Sequence, residues 1–274
     1  MKIGMFSSMI PQIMKTKGMT RKEVIEYMVS LGVRSAEADV GEVIANGGDS
    51  FCTEMKDRGL ELECIHALVT LTTRDDSEIV KKHITDAARY GCKYFLIVPG
   101  YAESVETKKD AADRIIERLI PISEFALENG IQLTIENFSQ VLTPFSTAEE
   151  LLYILNNVPK LKYTFDTGNF SYLSLDIDEA FEKLKSYIGY VHAKDLGDRI
   201  TKDNWHHEPH WKKVNFFGAP IGGGSVGFDK IIDDLRSMDY HGPLIIEQSV
   251  SRTDHEFTDI MEGSVKWLNS KGIF

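Results

Sequence analysis

The sequence predicts a parallel α/β fold, a single (β/α)8 TIM barrel, and three observations carry that expectation. Eight short runs rich in β-branched and aromatic residues alternate with longer amphipathic stretches. Their starts recur mostly every ~25–40 residues, about one strand–loop–helix–loop unit of such a barrel. No Gly-x-Gly-x-x-Gly directly follows any of these runs, the Gly222/Gly224/Gly227 spacing lying well beyond the seventh, so the main sign of an open dinucleotide-binding sheet is missing.

Each element has its own justification. Lys2–Phe6 is the first strand run, and Thr20-Arg21-Lys22-Glu23 then forms a Thr-x-x-Glu capping box that starts a helix stopped at Gly32. Ser35–Val40 and Leu62–Val69 are the next strands. Asp75-Asp76-Ser77 opens a helix that turns Ile79, Ile84, Ala87 and Ala88 inward and ends at Gly91. After the strand Tyr94–Val98, residues 111–128 place Ile115, Ile116, Leu119, Ile122 and Phe125 at helical spacing, closed by Asn129-Gly130. Pro121 lies inside that stretch and is expected to bend the helix without abolishing it. Gln132–Phe138 and Lys162–Asp166 are strands separated by a helix over Ala148–Asn156 that Thr147 caps. Ile188–Lys194 and Pro243–Glu247 complete the set, the latter after a helix over Asp229–Met238 introduced by Ser225–Phe228. A polar segment, about 197–224, is inserted between the seventh strand and that helix. With no linker-like composition shift and no internal repeat, residues 1–274 read as one domain.

Composition narrows the function. A chain of 274 residues buries a core large enough to need neither disulfides nor a structural metal. Its 31 basic and 42 acidic residues leave a formal charge of −11, which argues against gripping a phosphate backbone and so against a nucleic-acid partner. Cys52, Cys64 and Cys92 are odd in number and lack Cys-x-x-Cys spacing, so they read as reduced thiols. Polar residues follow Met1 too closely for a signal sequence, and no run reaches the ~18 apolar residues of a membrane span. The expectation is a cytoplasmic protein with no membrane partner.

Four late strands share one grammar. Gln132-Leu-Thr-Ile-Glu136, Lys162-Tyr-Thr-Phe-Asp166, Ile188-Gly-Tyr-Val-His192 and Pro243-Leu-Ile-Ile-Glu247 each end an apolar run on a potential metal ligand. Strand alternation gives Thr134 and Glu136 one direction, and likewise Thr164 and Asp166, Tyr190 and His192, and Ile245 and Glu247. In a closed barrel that direction can be inward, at the end where barrel enzymes hold their chemistry. Three carboxylates gathered there repel one another unless a cation neutralises them. Three oxygens and one nitrogen suit a divalent ion such as Mn²⁺, Co²⁺, Mg²⁺ or Zn²⁺, and the lack of thiolates argues against a structural zinc. A single one of these acids could equally be a solvated strand end; four at equivalent places favour a site.

These motifs give the sequence a recognisable kinship. Ile135-Glu136-Asn137, Phe165-Asp166-Thr167-Gly168, Val191-His192-Ala193-Lys194-Asp195, Gly222-Gly223-Gly224-Ser225-Val226-Gly227-Phe228 and Ile246-Glu247 occur in one order over nearly the whole chain. In this the chain resembles the xylose isomerase-like barrels, the sugar phosphate isomerase/epimerase group. That group includes ketose 3-epimerases, hydroxypyruvate isomerases, inosose isomerases and dehydratases, and endonuclease IV. The resemblance implies a metal held by Glu136, Asp166, His192 and Glu247, with Glu136 and Glu247 doubling as the acid/base pair. A metal on a carbonyl and its neighbouring hydroxyl stabilises the enediolate left when the α-proton departs. A carboxylate on each face can remove the proton on one side and return it on the other, giving epimerisation. Return to the adjacent carbon gives aldose–ketose isomerisation.

Two departures from the family pattern bear on the subfamily. Asp166 is followed by Thr167-Gly168-Asn169 where many relatives have Asp-Thr-x-His, and Gly222-Gly223-Gly224 stands where relatives often read Gly-Glu-Gly. Asn169 can hydrogen-bond a substrate hydroxyl but cannot ligate or relay a proton as a histidine can. His66 lies where relatives place a substrate-contacting histidine, the alternative being a satisfied histidine at the rim. Lys194 shares the direction of His192 and either binds a substrate oxygen or pairs with a neighbouring acid. Arg199 and the inserted knot of Trp205, His206, His207, Glu208, His210 and Trp211 read as a lid over a sugar or a subunit contact, in preference to a second metal site. The three glycines cradle a phosphate or merely turn the chain tightly. Glu37 and Asp39 read as pocket lining or structure.

The leading expectation is therefore a divalent-metal-dependent isomerase or epimerase acting on a ketose, aldose or inosose. The alternative is an inosose or keto-sugar dehydratase in which the same enediolate expels a β-hydroxyl. More distant are an endonuclease IV-like hydrolase, disfavoured by Asn169 and the acidic charge, and a non-catalytic sugar-binding subunit. The resemblance also implies a homo-oligomer, dimer or tetramer.

Overall fold

The structure is a computed structural model that describes residues 1–102, 107–140, 142–201 and 214–274. Its strands in chain order are β1 (Lys2–Phe6), β2 (Val33–Asp39), β3 (Glu61–Leu68), β4 (Tyr94–Val98), β5 (Gln132–Glu136), β6 (Lys162–Asp166), β7 (Ile188–Ala193), β8 (Asp195–Ile200), β9 (Asn215–Ala219) and β10 (Pro243–Ile246). All but β8 and β9 form one closed barrel, in the order β1-β10-β7-β6-β5-β4-β3-β2. The fold is the (β/α)8 barrel that the strand–helix alternation predicts.

Backbone contacts gather the described residues into two compact units, one of residues 63–190 and one of residues 1–62 with those from 191 onward. In the first, β4 pairs with β3 and β5, and β5 with β6, all in parallel. The Thr164 hydroxyl donates to the Thr134 hydroxyl at 2.8 Å, which fixes both threonines on one face. On the opposite face Leu133, Ile135, Tyr163 and Phe165 are fully buried, as are Ile84, Ile115, Leu119, Leu151 and Ile154 of the helices Ser77–Arg89, Lys108–Glu128 and Ala148–Asn157. Each such aliphatic side chain contributes about 1.5–3 kcal/mol on burial. In the second unit β1 pairs with β10 and β2, and β10 with the end of β7, so that Ile245 stands level with Gly4 and His192.

Several boundaries differ from the sequence expectation, each for a local reason. The second strand runs from Val33 to Asp39, because the Asp39 carboxylate accepts from the Gly41 and Glu42 amides and so caps the helix Val40–Ala45. The fifth stops at Glu136, where the Asn137 side chain bonds to the Asp166 backbone. Ile79 is not an inward residue: it is exposed, and Val80, Ile84 and Ala87 form the buried line of that helix. Spacings of four and three from Val80 keep to one face, and Ile79 lies a full residue step of rotation away. The long helix begins at Lys108, capped by Thr107, and continues through Pro121 to Glu128. The capping box at Thr20 and Glu23 is present, with Gly32 at the other end. Part of the expected insertion is an antiparallel ribbon in which β8 pairs with β9.

Candidate metal centre

In the unit of residues 63–190, β5 and β6 end on buried Glu136 and Asp166. One Asp166 oxygen accepts from the Gly168 and Asn169 amides at 2.8 and 2.9 Å, which explains the Asp-Thr-Gly-Asn turn: its carboxylate organises the loop that follows it. Asn137 ties the two strand ends together. Its Oδ1 accepts from the Tyr163 hydroxyl at 2.6 Å and the Asp166 amide at 3.2 Å, while its Nδ2 donates to the Asp166 carbonyl at 3.1 Å. Burial first, then the negative charge of Asp166 and Glu136, pushes the Tyr163 phenol well above its ordinary value, so it stays a donor. Asn169 is buried and its Nδ2 donates to the Asn137 carbonyl at 2.9 Å, so this amide holds loop to loop. His66 lies on β3, half-buried, in register with Leu96.

In the unit that begins at residue 1, His192 ends the same kind of strand run, 1 % exposed. Its Nε2 is 2.8 Å from Glu37 Oε2, its Nδ1 is 3.4 Å from Glu247 Oε2, and the Phe6 ring packs edgewise with centroids 5.0 Å apart. Lys194 Nζ lies 2.6 Å from Glu247 Oε1, which makes the residue an ion-pair partner of a neighbouring acid. Burial by itself raises the Glu247 carboxyl, but the charges of Lys194 and His192 outweigh it and hold the group well below the usual carboxylate range.

Asp195, the next residue, is 2 % exposed. One of its oxygens accepts from the Leu196 and Val226 amides at 2.9 and 3.1 Å, the other from Gly222 and Gly224 at 2.9 and 3.0 Å. The glycine turn is thus closed around this carboxylate. Gly222 has φ of +79°, and a Cβ there would sit 2.1 Å from Trp267; one on Gly224 would sit 2.3 Å from Asp195 Oδ1. Close approach is therefore what the glycines supply. Arg199 is exposed on β8, opposite Phe216. Trp205 and His207, with the rest of the His/Trp knot, lie outside the described residues.

Glu136, Asp166, His192 and Glu247 each offer one ligand atom, and these atoms all lie within 4.8 Å of one another. The donor chemistry fits a divalent ion: three carboxylates need a counter-charge, and an imidazole whose second nitrogen meets a carboxylate is the usual form of a metal-ligating histidine. Asn137, Tyr163 and Asp195 have roles the sequence reading did not assign. Their partners are backbone groups and neighbouring loops, for which no residue spacing is diagnostic.

The sequence model of the xylose isomerase-like TIM barrel family matches residues 25–271, and the chain belongs to that family. An inosose dehydratase of Geobacillus kaustophilus (strain HTA426) is 24% identical over 249 residues, 83% of this chain and 80% of that one. The structure of D-psicose 3-epimerase with D-tagatose from Clostridium cellulolyticum H10 superposes with a TM-score of 0.72 at 15% identity, covering 99% of this chain and 98% of that one. The IolI protein with a bound zinc atom gives a TM-score of 0.73 at 17% identity, covering 98% and 97%. These likenesses to solved structures show the shared barrel fold.

Proposed function

We propose that this chain is a divalent-metal-dependent isomerase or epimerase of a ketose, aldose or inosose, with Glu136, Asp166, His192 and Glu247 as metal ligands. The observation that carries this reading is the gathering of four ligand atoms, two of them from glutamates, within 4.8 Å. A divalent ion held there would supply the positive charge that makes the hydrogen beside a carbonyl acidic. Glu136 and Glu247 act as the acid/base pair, one taking the proton from carbon and the other returning one. Lys194 binds a substrate oxygen while neutralising Glu247 on its other side. His66, Asn169, Arg199, Trp205 and His207 complete the substrate contacts in this proposal, with the inserted segment as a lid.

Carbon-bound deuterium uptake from heavy water into a panel of ketoses, aldoses and inososes tests this, with metal analysis of the same preparations. Metal-dependent exchange lost in Glu136→Gln and Glu247→Gln is the expected result; exchange unchanged in both variants would sink the assignment. A second reading is a dehydratase, which the similarity to inosose dehydratases favours. There the same proton is removed, the β-carbon–oxygen bond breaks, and the hydroxyl leaves as water after protonation. A product lighter by one water selects that reading, and an isomer of the substrate selects the first. The remaining expectations belong to the proposal too: one domain, a cytoplasmic location and a dimer or tetramer, the last checked by light scattering.

A further inference from the structure

We propose that Glu37 is a positioning residue that fixes the imidazole of His192 for the metal, an inference that rests on reading Glu136, Asp166, His192 and Glu247 as ligands. Glu37 stands on β2, remote in sequence from the four strands that end on those groups, and its side chain is fully buried. Burying a carboxylate costs several kcal/mol unless donors meet it. A barrel interior filled by packing alone would be served better by an apolar residue of the same volume. Here the Glu37 carboxylate reaches His192 Nε2 at 2.8 Å. A carboxylate only accepts, so Nε2 carries a ring hydrogen, and Nδ1 is the nitrogen left to give its lone pair to a metal. Nδ1 is also the atom on the Glu247 side, 3.4 Å from Oε2. With Nδ1 deprotonated these two atoms are both acceptors, and a divalent ion that both ligate would take the place of the Nδ1 proton between them. The edgewise Phe6 ring, with centroids 5.0 Å apart, limits rotation of the imidazole. Glu37 thus sets both the tautomer and the orientation of the ligand, and it raises the basicity of Nδ1.

The test is titration of metal-stripped protein with Co²⁺, followed by its visible absorption, for the wild type, Glu37→Gln and Glu37→Ala. Nitrogen-15 shifts of His192 in the Zn²⁺-loaded forms are recorded alongside. Glu37→Gln keeps an acceptor of the same shape and loses the charge, and its affinity is expected to fall about tenfold with the Nε2–H tautomer retained. Glu37→Ala is expected to lose up to about 100-fold and to show a mixture of tautomers. If Glu37→Ala does not fold, Glu37→Gln carries the test. Affinity and tautomer equal to wild type in the folded variants would overturn the positioning role while leaving the metal reading intact. Wild-type protein that takes up no Co²⁺, or takes it up unchanged in Glu136→Gln and Asp166→Asn, would overturn both.

Discussion

Asn137 shows how much of the candidate centre depends on side chains that are not themselves candidate metal ligands. One amide receives the Tyr163 hydroxyl and the Asp166 amide and donates to the Asp166 carbonyl. Asn137→Ala is expected to destabilise the protein by about 1–3 kcal/mol for each buried group left unsatisfied, read as a lower urea midpoint. Lys194 poses the opposite case, a cation already paired with a proposed ligand. Lys194→Met removes the competitor for Glu247, so affinity for Mn²⁺ is expected to rise about tenfold while turnover falls; isothermal titration of stripped protein reads the first effect. The four ligand candidates were legible because a strand's two-residue period ties Glu136 to Thr134 and Asp166 to Thr164, and the Thr134–Thr164 bond confirms that face. Asn137 was not, since its asparagine could serve any turn until its partners are in place.

Caps and strand cores were the elements most readable in the sequence. The Thr20–Glu23 box works through a local rule and survives in the structure as expected. The error at Ile79 arose because Ile79 and Val80 are adjacent apolar residues, and periodicity alone does not say which of them begins the buried line. The ribbon of β8 and β9 falls where the sequence shows only a polar insertion, since Asp195–Ile200 lacks clean alternation. Asp195→Asn would turn an amino group toward at least one donor amide, so a loss of about 1–3 kcal/mol is expected. Faster hydrogen exchange at Gly222 and Gly224 would localise that loss to the turn.

The loop before the helix Ser77–Arg89 makes a pH-dependent prediction. Asp76 accepts from Arg74 and from the Thr70 amide, and the bond from Arg74, followed by burial acting the other way, leaves its carboxyl below the ordinary 3.8. A lowered folded value means that the ionised group stabilises the fold above about 3.8 and that this contribution fades as pH falls through the folded value. Arg74 is well exposed, so the effect is modest and weakened by salt. The stability gap between wild type and Asp76→Asn, about 1 kcal/mol at neutral pH, is expected to close in acid denaturation series below that point. A gap that widened instead would contradict the assignment.

Across the whole chain, the barrel class was legible because eight units repeat one strand–helix order, which few other folds accommodate. The reaction was less so, because proteins named as a dehydratase and as an epimerase are both similar to this chain, the second in fold alone. A bound ion would also be a stabilising ligand. At 100 times its dissociation constant it adds about 2.7 kcal/mol, so chelation is expected to lower the melting midpoint by about 5–10 °C. Calorimetry of His192→Ala, expected to be indifferent to the chelator, separates that effect from a general action of the reagent.

Asp195 gives the barrel an internal anion at the glycine-rich turn, and its four amide donors are already satisfied. Barrels of this class often direct such amides at a ligand's phosphoryl group. Here that group would have to displace a carboxylate already held in place by the backbone, whose effective molarity as a pre-oriented intramolecular group exceeds any free ligand concentration. Inorganic phosphate and sulfate should therefore be inert additives at this turn, leaving the Gly222 and Gly224 amide shifts unmoved.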